Sequence, residues 1–247
     1  MGLRMALPKL GRPPEHDLGL PGCPLCGAPA YKGYRFTRPS EIEHDCDCAY
    51  ARWPEYYTAL EKAWRRYHFP RVYRESLPEG YREFLERPFR AGGNEEAVRA
   101  VEAWAEKGGL LYLHGPAGAG KTHLAVRAGL RRAERGHRVL FKTEIDFLDE
   151  VRRAALEGEE AFEPKGDLVL DGLGTGRATP LALEALFSLF ERARVGQTAL
   201  LATGTLPPEE LAKRFGEGAE AVAARLEGRT ALLAKRRFSE KVPAWAG

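Results

Sequence analysis

Residues 115–122 read Gly-Pro-Ala-Gly-Ala-Gly-Lys-Thr, a full match to the pattern G-x-x-x-x-G-K-[ST]. Glycines at that spacing let successive backbone N–H groups turn inward on phosphate oxygens. They do so at the positive end of the helix that begins there. In such a loop Lys121 neutralises the β- and γ-phosphates, and the Thr122 hydroxyl holds Mg²⁺. The residues expected to touch a nucleoside triphosphate are therefore Gly115, Pro116, Ala117, Gly118, Ala119, Gly120, Lys121, Thr122 and His123. The flanks suit the motif, with an apolar run (Leu110–Leu113) before it and a helical pattern after it.

A second acidic element, Asp167-Leu-Val-Leu-Asp171, has the form of a strand whose terminal carboxylate holds Mg²⁺ through its water shell. Asp171 is that carboxylate. ATPases of this type commonly follow it with Glu or Asp to polarise the attacking water, and here the next residue is Gly172. Asp167 sits at the far end of the strand. A carboxylate from a partner, or from Glu144 on a neighbouring helix, is what could compensate. The expectation is firm nucleotide binding through Lys121 and slow hydrolysis by the isolated protein.

The four cysteines form a third chemical group, Cys23-x-x-Cys26 and Cys46-x-Cys48, separated by nineteen residues. Four clustered thiols in a reducing compartment point to metal before disulfides. Four thiolates suit tetrahedral Zn²⁺ with no open position for catalysis. His44 could stand in for Cys46 or Cys48 as the fourth ligand. An iron–sulfur cluster and free or disulfide-bonded thiols are the alternatives.

From Tyr50 to Tyr73 lie eight of the chain's 24 aromatic residues, interleaved with Arg52, Lys62, Arg65, Arg66 and Arg71. Such a stretch can stack bases and track phosphates. It can equally be the apolar core of a small domain with a solvated basic face, or a helix that binds a partner.

These residues are set on two unlike pieces of chain. The 247 residues carry 38 Lys and Arg against 35 Asp and Glu. The whole excess of +3 falls within residues 1–90, so a functional basic surface is sought there first. No apolar run approaches the length of a membrane span, and the start lacks a signal core, which implies a cytoplasmic protein with no membrane partner. Residues 1–20 read as a flexible arm. Residues 21–69 form a cysteine-bearing domain with an amphipathic helix over Pro54–Tyr67, in which Trp53, Tyr56, Leu60, Trp64 and Tyr67 recur at steps of three and four. A Pro-containing connector (Phe69–Pro88) leads to a second helix, with Asn94 as its N-cap and Val98, Val101 and Trp104 on one face.

Beyond Gly109, short apolar runs alternate with amphipathic helices. The runs are Leu110–Leu113, Val139–Phe141, Leu168–Leu170, Ala199–Ala202 and Ala231–Leu233, and the helices lie near 121–135, 144–156, 180–194 and 207–226. Strands apolar on both faces between helices predict an α/β domain around a five-stranded parallel sheet over residues 70–247.

Taken together, the cysteine module, Leu-Tyr-Leu-His-Gly-Pro-Ala-Gly-Ala-Gly-Lys-Thr-His-Leu, Val-Leu-Phe-Lys-Thr with Asp146-Phe-Leu, Leu-Val-Leu-Asp-Gly-Leu-Gly and Thr203-Gly-Thr-Leu-Pro-Pro-Glu-Glu-Leu resemble the DnaC/DnaI-type helicase loaders. These are AAA+ P-loop ATPases related to the initiator DnaA and the transposition helper IstB. The resemblance spans about residues 70–240. The cysteine module is more loosely similar to the N-terminal domain of the Gram-positive loaders. The resemblance implies ATP as the nucleotide, with Mg²⁺ and Zn²⁺. It also implies a role in binding the hexameric replicative helicase and placing it on single-stranded DNA, with ATP promoting self-association or assembly on the helicase ring. It gives catalytic roles to Lys121 and to Asp171, beside Mg²⁺. It sets Thr205 where the family usually has a sensor Asn, and matches Arg225 to an arginine that reaches a neighbour's ATP. An IstB-like helper of a transposase and a non-hydrolysing, ATP-dependent adaptor are the rival readings.

Overall fold

The computed structural model describes residues 20–30, 38–158, 164–177, 179–216 and 220–234. The expected arm, all but its last residue, lies outside them. The chain divides between Tyr67 and His68 into two compact units.

The first unit holds little regular structure before its helices. A 3₁₀ turn (Pro39–Glu41) and an isolated antiparallel bridge from Ala30 to His44 precede α1 (Cys48–Ala51) and the first part of α2 (Trp53–Ser76). Tyr56, Leu60 and Trp64, spaced by four, lie on one face of α2 and are buried together with Ile42 and Cys23. The expected stripe is narrower than the sequence suggests. Trp53 is 59% exposed and rests on Tyr57, with ring centroids 5.3 Å apart.

Helix α2 also runs nine residues past its expected end and through Pro70. An interior proline removes one helical hydrogen bond and crowds the preceding turn. Tertiary contacts made by the next turns offset that cost. Tyr73 is fully buried and donates its hydroxyl to the Val126 carbonyl at 3.0 Å, and Leu77 is buried beside it. The expected connector contains a further helix, α3 (Glu79–Glu86).

The second unit is built on five parallel strands: β1 (Leu110–His114), β2 (Val139–Thr143), β3 (Asp167–Leu173), β4 (Leu200–Gly204) and β5 (Thr230–Leu232), in the order β2-β3-β4-β1-β5. Alternate residues of each strand face opposite sides. Leu111, Leu113, Phe141, Val169 and Leu201 face one layer, with α4 (Glu95–Lys107) and α5 (Lys121–Glu134). Leu110, Tyr112, Leu168, Leu170 and Ala202 face the other, with α6 (Glu144–Leu156) and α7 (Pro180–Arg194). The α/β expectation holds. The single helix expected over 207–226 is two, α8 (Pro208–Phe215) and α9 (Glu220–Leu226), broken at Gly216 with φ +84°; residues 217–219 lie outside the described ones.

Asn94 does occupy the N-cap position of α4, but its side chain makes no capping bond. Its amide nitrogen donates to the carbonyls of Ala91 and Ala234, and its oxygen accepts the Ala234 N–H at 2.8 Å. One side chain thus fastens the segment before α4 to the end of β5.

Asp167 and Arg132 act at the opposite end of the strands, where β3 begins. Asp167 accepts from Arg132 Nε at 2.6 Å and from the Ala199 N–H at 2.8 Å, with both side chains largely buried. Removing one partner of a buried pair strands the other charge. Arg132→Ala should therefore destabilise the second unit by about 3–5 kcal/mol, read as a lowered denaturant midpoint.

Candidate nucleotide and metal sites

The phosphate loop spans the end of β1 to the start of α5. Gly115 has φ +140°, and a Cβ there would stand 2.1 Å from the Leu233 carbonyl oxygen, so only glycine lets β5 close against the loop. Lys121 Nζ donates to the Gly115 and Pro116 carbonyls at 2.8 and 2.9 Å. Burial pushes its ammonium pKa down, and the Asp171 charge opposes that shift. These contacts hold the cation over the loop, ready to exchange carbonyl for phosphate. The imidazole of His123 lies against Phe84, with centroids 5.2 Å apart, and Nε2 is 2.9 Å from the Arg87 carbonyl. Its side chain is thus engaged with α3 and the segment after it.

Asp171 stands at the end of β3, on the sheet face that α5 covers. Its Oδ1 accepts from the Thr122 hydroxyl at 2.8 Å and from the Thr203 hydroxyl at 2.6 Å. The fold therefore joins the two residues expected to hold Mg²⁺, although they are 49 positions apart. A carboxylate and a hydroxyl are the hard oxygen donors that this ion takes. Thr203 is the residue that sequence reasoning missed. Thr205, expected as the sensor, is exposed one residue past β4, whereas Thr203 is buried within it and also accepts the Gly172 N–H at 3.2 Å. What separates the two is the register of β4 against β3. The register pairing Leu170 with Ala202 sets Thr203 beside Asp171. Tyr81, from α3, adds a phenol that burial and the nearby Asp171 carboxylate push above its ordinary pKa.

Gly172 occupies a register shift between Leu170 and Leu173, with φ +81°. An L side chain is strained at that φ whatever the space. The acid missing at this position is thus a property of the backbone. Glu144, the possible substitute, is fully buried at the start of α6, with Oε2 accepting the Gly176 N–H at 2.5 Å.

Arg225 lies on α9 and is engaged within its own chain. Its Nε donates to Glu191 Oε2 at 2.8 Å, and its guanidinium lies 3.8 Å from the Phe187 ring centroid. Hydrogen bonds from Arg194 and Arg225 bring the Glu191 carboxyl down to about 2.

In the first unit, the sulfur atoms of Cys23, Cys26, Cys46 and Cys48 all lie within 4.8 Å of one another, and all four are free thiols. A tetrahedron with Zn–S of about 2.3 Å has edges of about 3.8 Å, so the group fits one ion after a small contraction. Crowding sets the four thiols unlike one another. The Cys26 thiol, then burial and the Cys46 and Cys23 thiols, push Cys48 up to about 12. Burial opposes ionisation of Cys23, but hydrogen bonds from the Leu25 and Cys26 backbones and the neighbouring thiols bring it to about 7. His44 is otherwise occupied. Nε2 donates to the Pro21 carbonyl at 3.1 Å, which leaves Nδ1 to accept the Tyr56 hydroxyl at 2.6 Å. His44 is a support, not a fourth ligand. In the aromatic stretch, Tyr56, Trp64 and Tyr73 are core, while Tyr50, at 85% exposure, and Trp53 are not.

A family model described as IstB-like ATP binding protein matches residues 75–232. A protein named as an insertion-sequence ATP-binding protein of Sinorhizobium fredii is 34% identical over 133 residues, covering 52% of this chain and 44% of that protein. Another, named for insertion sequence IS5376 of Geobacillus stearothermophilus, is 32% identical over 121 residues, covering 47% and 45%. The chain thus spans under half the length of these curated relatives. Among solved structures, the DnaC helicase loader shares the fold with a TM-score of 0.52 and 20% identity, covering 64% of this chain and 99% of that one. Among the described residues, no helix is long and apolar enough to cross a membrane.

The cysteine unit precedes the matched region, so any metal there would be held by the unit's own residues. One zinc per chain is the expected elemental content. Cys26→Ser should release that zinc and lower protection from proteolysis over residues 21–50 while leaving the second unit folded. Iron with inorganic sulfide, or no metal at all, would contradict this.

Proposed function

The chain belongs to the IstB-like ATP-binding protein family, and on that premise we propose that it is an ATP-gated adaptor that loads a hexameric replicative helicase onto single-stranded DNA during replication initiation or restart. Nucleotide acts by stabilising one arrangement of the Thr122–Asp171–Thr203 cluster over another, which is the only way a ligand can shift a conformational equilibrium. Thr122 and Asp171 would hold Mg²⁺, whose charge offsets that of the phosphates. Lys121 and the inward-turned loop amides act on phosphates already present in the bound ground state, so they confer affinity independently of hydrolysis. The observation that carries the helicase reading is the four-cysteine unit ahead of residues 75–232, a separate module available for a protein partner.

A second reading, a helper ATPase for a transposase, is favoured by the names of the insertion-sequence relatives. Capture from the native host with and without ATP separates the two, since one predicts a ring helicase and the other a transposase. In either case Lys121→Ala should weaken ATP binding at least tenfold, because a hydrogen bond to a charged group contributes about 1.5–3 kcal/mol. Calorimetric titration measures it.

For assembly, Arg225 is read as the group that reaches a neighbouring subunit's γ-phosphate. To do so it must leave Glu191 and Phe187. Arg225→Ala should abolish ATP-dependent self-association with ATP affinity unchanged, and Glu191→Gln, which loosens the hold, should strengthen that association. Sedimentation velocity with and without ATP reads both outcomes.

A further inference from the structure

Glu144 opens α6 directly after β2, and the parallel register that sets Thr143 opposite Asp171 brings Glu144 to the level of Gly172. Its Oε2 takes the Gly176 N–H and stands 3.3 Å from the Thr175 hydroxyl. That hydroxyl donates to the Gly172 carbonyl at 2.7 Å and lies 3.5 Å from where a Cβ on Gly172 would be. The Thr175 hydroxyl therefore links the Glu144 carboxylate to the space in which a side chain at position 172 would begin. Its other oxygen, Oε1, is closed off from solvent and has no hydrogen-bond partner. A buried carboxylate oxygen with unused acceptor capacity is costly to keep. Glutamine would serve the Gly176 N–H equally well without the charge.

Resting on the reading that this site binds ATP, we infer that Glu144 supplies from the start of α6 the acid that position 172 lacks. Oε2 fixes the turn 172–176, and Oε1 accepts a proton from the attacking water. Gly172, Gly174 and Gly176 give that turn the freedom to admit the water. In the reaction, the water oxygen bonds to the γ-phosphorus as the bond from that phosphorus to the β,γ-bridging oxygen breaks. The bridging oxygen leaves with the electron pair on ADP. The water proton passes to Oε1 and then to solvent.

The test measures ATP affinity, phosphate release and melting temperature of the full chain with Mg²⁺, with and without single-stranded DNA. Wild type is compared with Glu144→Gln and Glu144→Asp. Glutamine keeps an acceptor for Gly176 but puts an N–H₂ where Oε1 was. Losing the proton acceptor should cut phosphate release by about 100-fold or more, with ATP affinity unchanged and the melting temperature not lowered. Aspartate keeps the charge but withdraws it by about one bond, which should cost roughly tenfold or more. Release at the wild-type rate by Glu144→Gln overturns the inference, as does wild type that binds ATP without releasing phosphate. Should the glutamine variant not fold, undiminished release by Glu144→Asp has the same force. Wild type that binds no ATP would instead overturn the reading of the site itself.

Discussion

The Asp171 carboxylate, gripped by the hydroxyls of Thr122 and Thr203, is the constraint around which the second unit is organised. An ionised carboxylate largely removed from water must be supplied with donors. Here the donors come from the first turn of α5 and from the adjacent strand. That requires β3 and β4 to end at the same level, and α5 to begin directly over that edge. A parallel sheet meets both conditions, because all its strands end on one side and each must be followed by a crossover. Arg132 and Asp167 do the complementary work at the other end of the strands, tying α5 to the start of β3. Helix and strand are thus pinned at both ends, and the phosphate loop leads into a helix that is fixed in place.

Much of this was legible because it is local. The phosphate loop, the strand carrying Asp171 and the four thiols are contiguous or nearly so, and the ends of the five apolar runs lie within three residues of those of the observed strands. What escaped depends on partners far away in sequence. Thr203 and Thr205 look alike in the chain, and only the register of β3 against β4 separates them. Asn94 reads as a cap, yet its partner is 140 residues distant. Pro70 reads as a stop, and is overridden by the burial of Tyr73 and Leu77. Trp53 falls in a helical stripe but lies beyond the edge of the small core.

The two units depend on different forces. The second buries two large apolar layers against a sheet and has its own core. The first buries Cys23, Ile42, Tyr56, Leu60 and Trp64 among its described residues, too few to order a loop-rich segment by apolar burial alone. His44 adds a polar fastening by joining Pro21 to Tyr56, and so places the chain that carries Cys23 against α2. Cross-linking the two ends of that loop through a metal is the usual remedy in a domain of this size.

The φ of +81° at Gly172 has an evolutionary consequence. Glycine and glutamate codons can differ by one base, so restoring an acid after Asp171 is within reach of a single mutation. The chain would gain little from it, because the bulge holds that position where an L residue is strained. An acid at this position is accommodated without strain only if the backbone also loses its bulge. Selection on turnover is then left to act on neighbouring strands and bound partners, not on position 172.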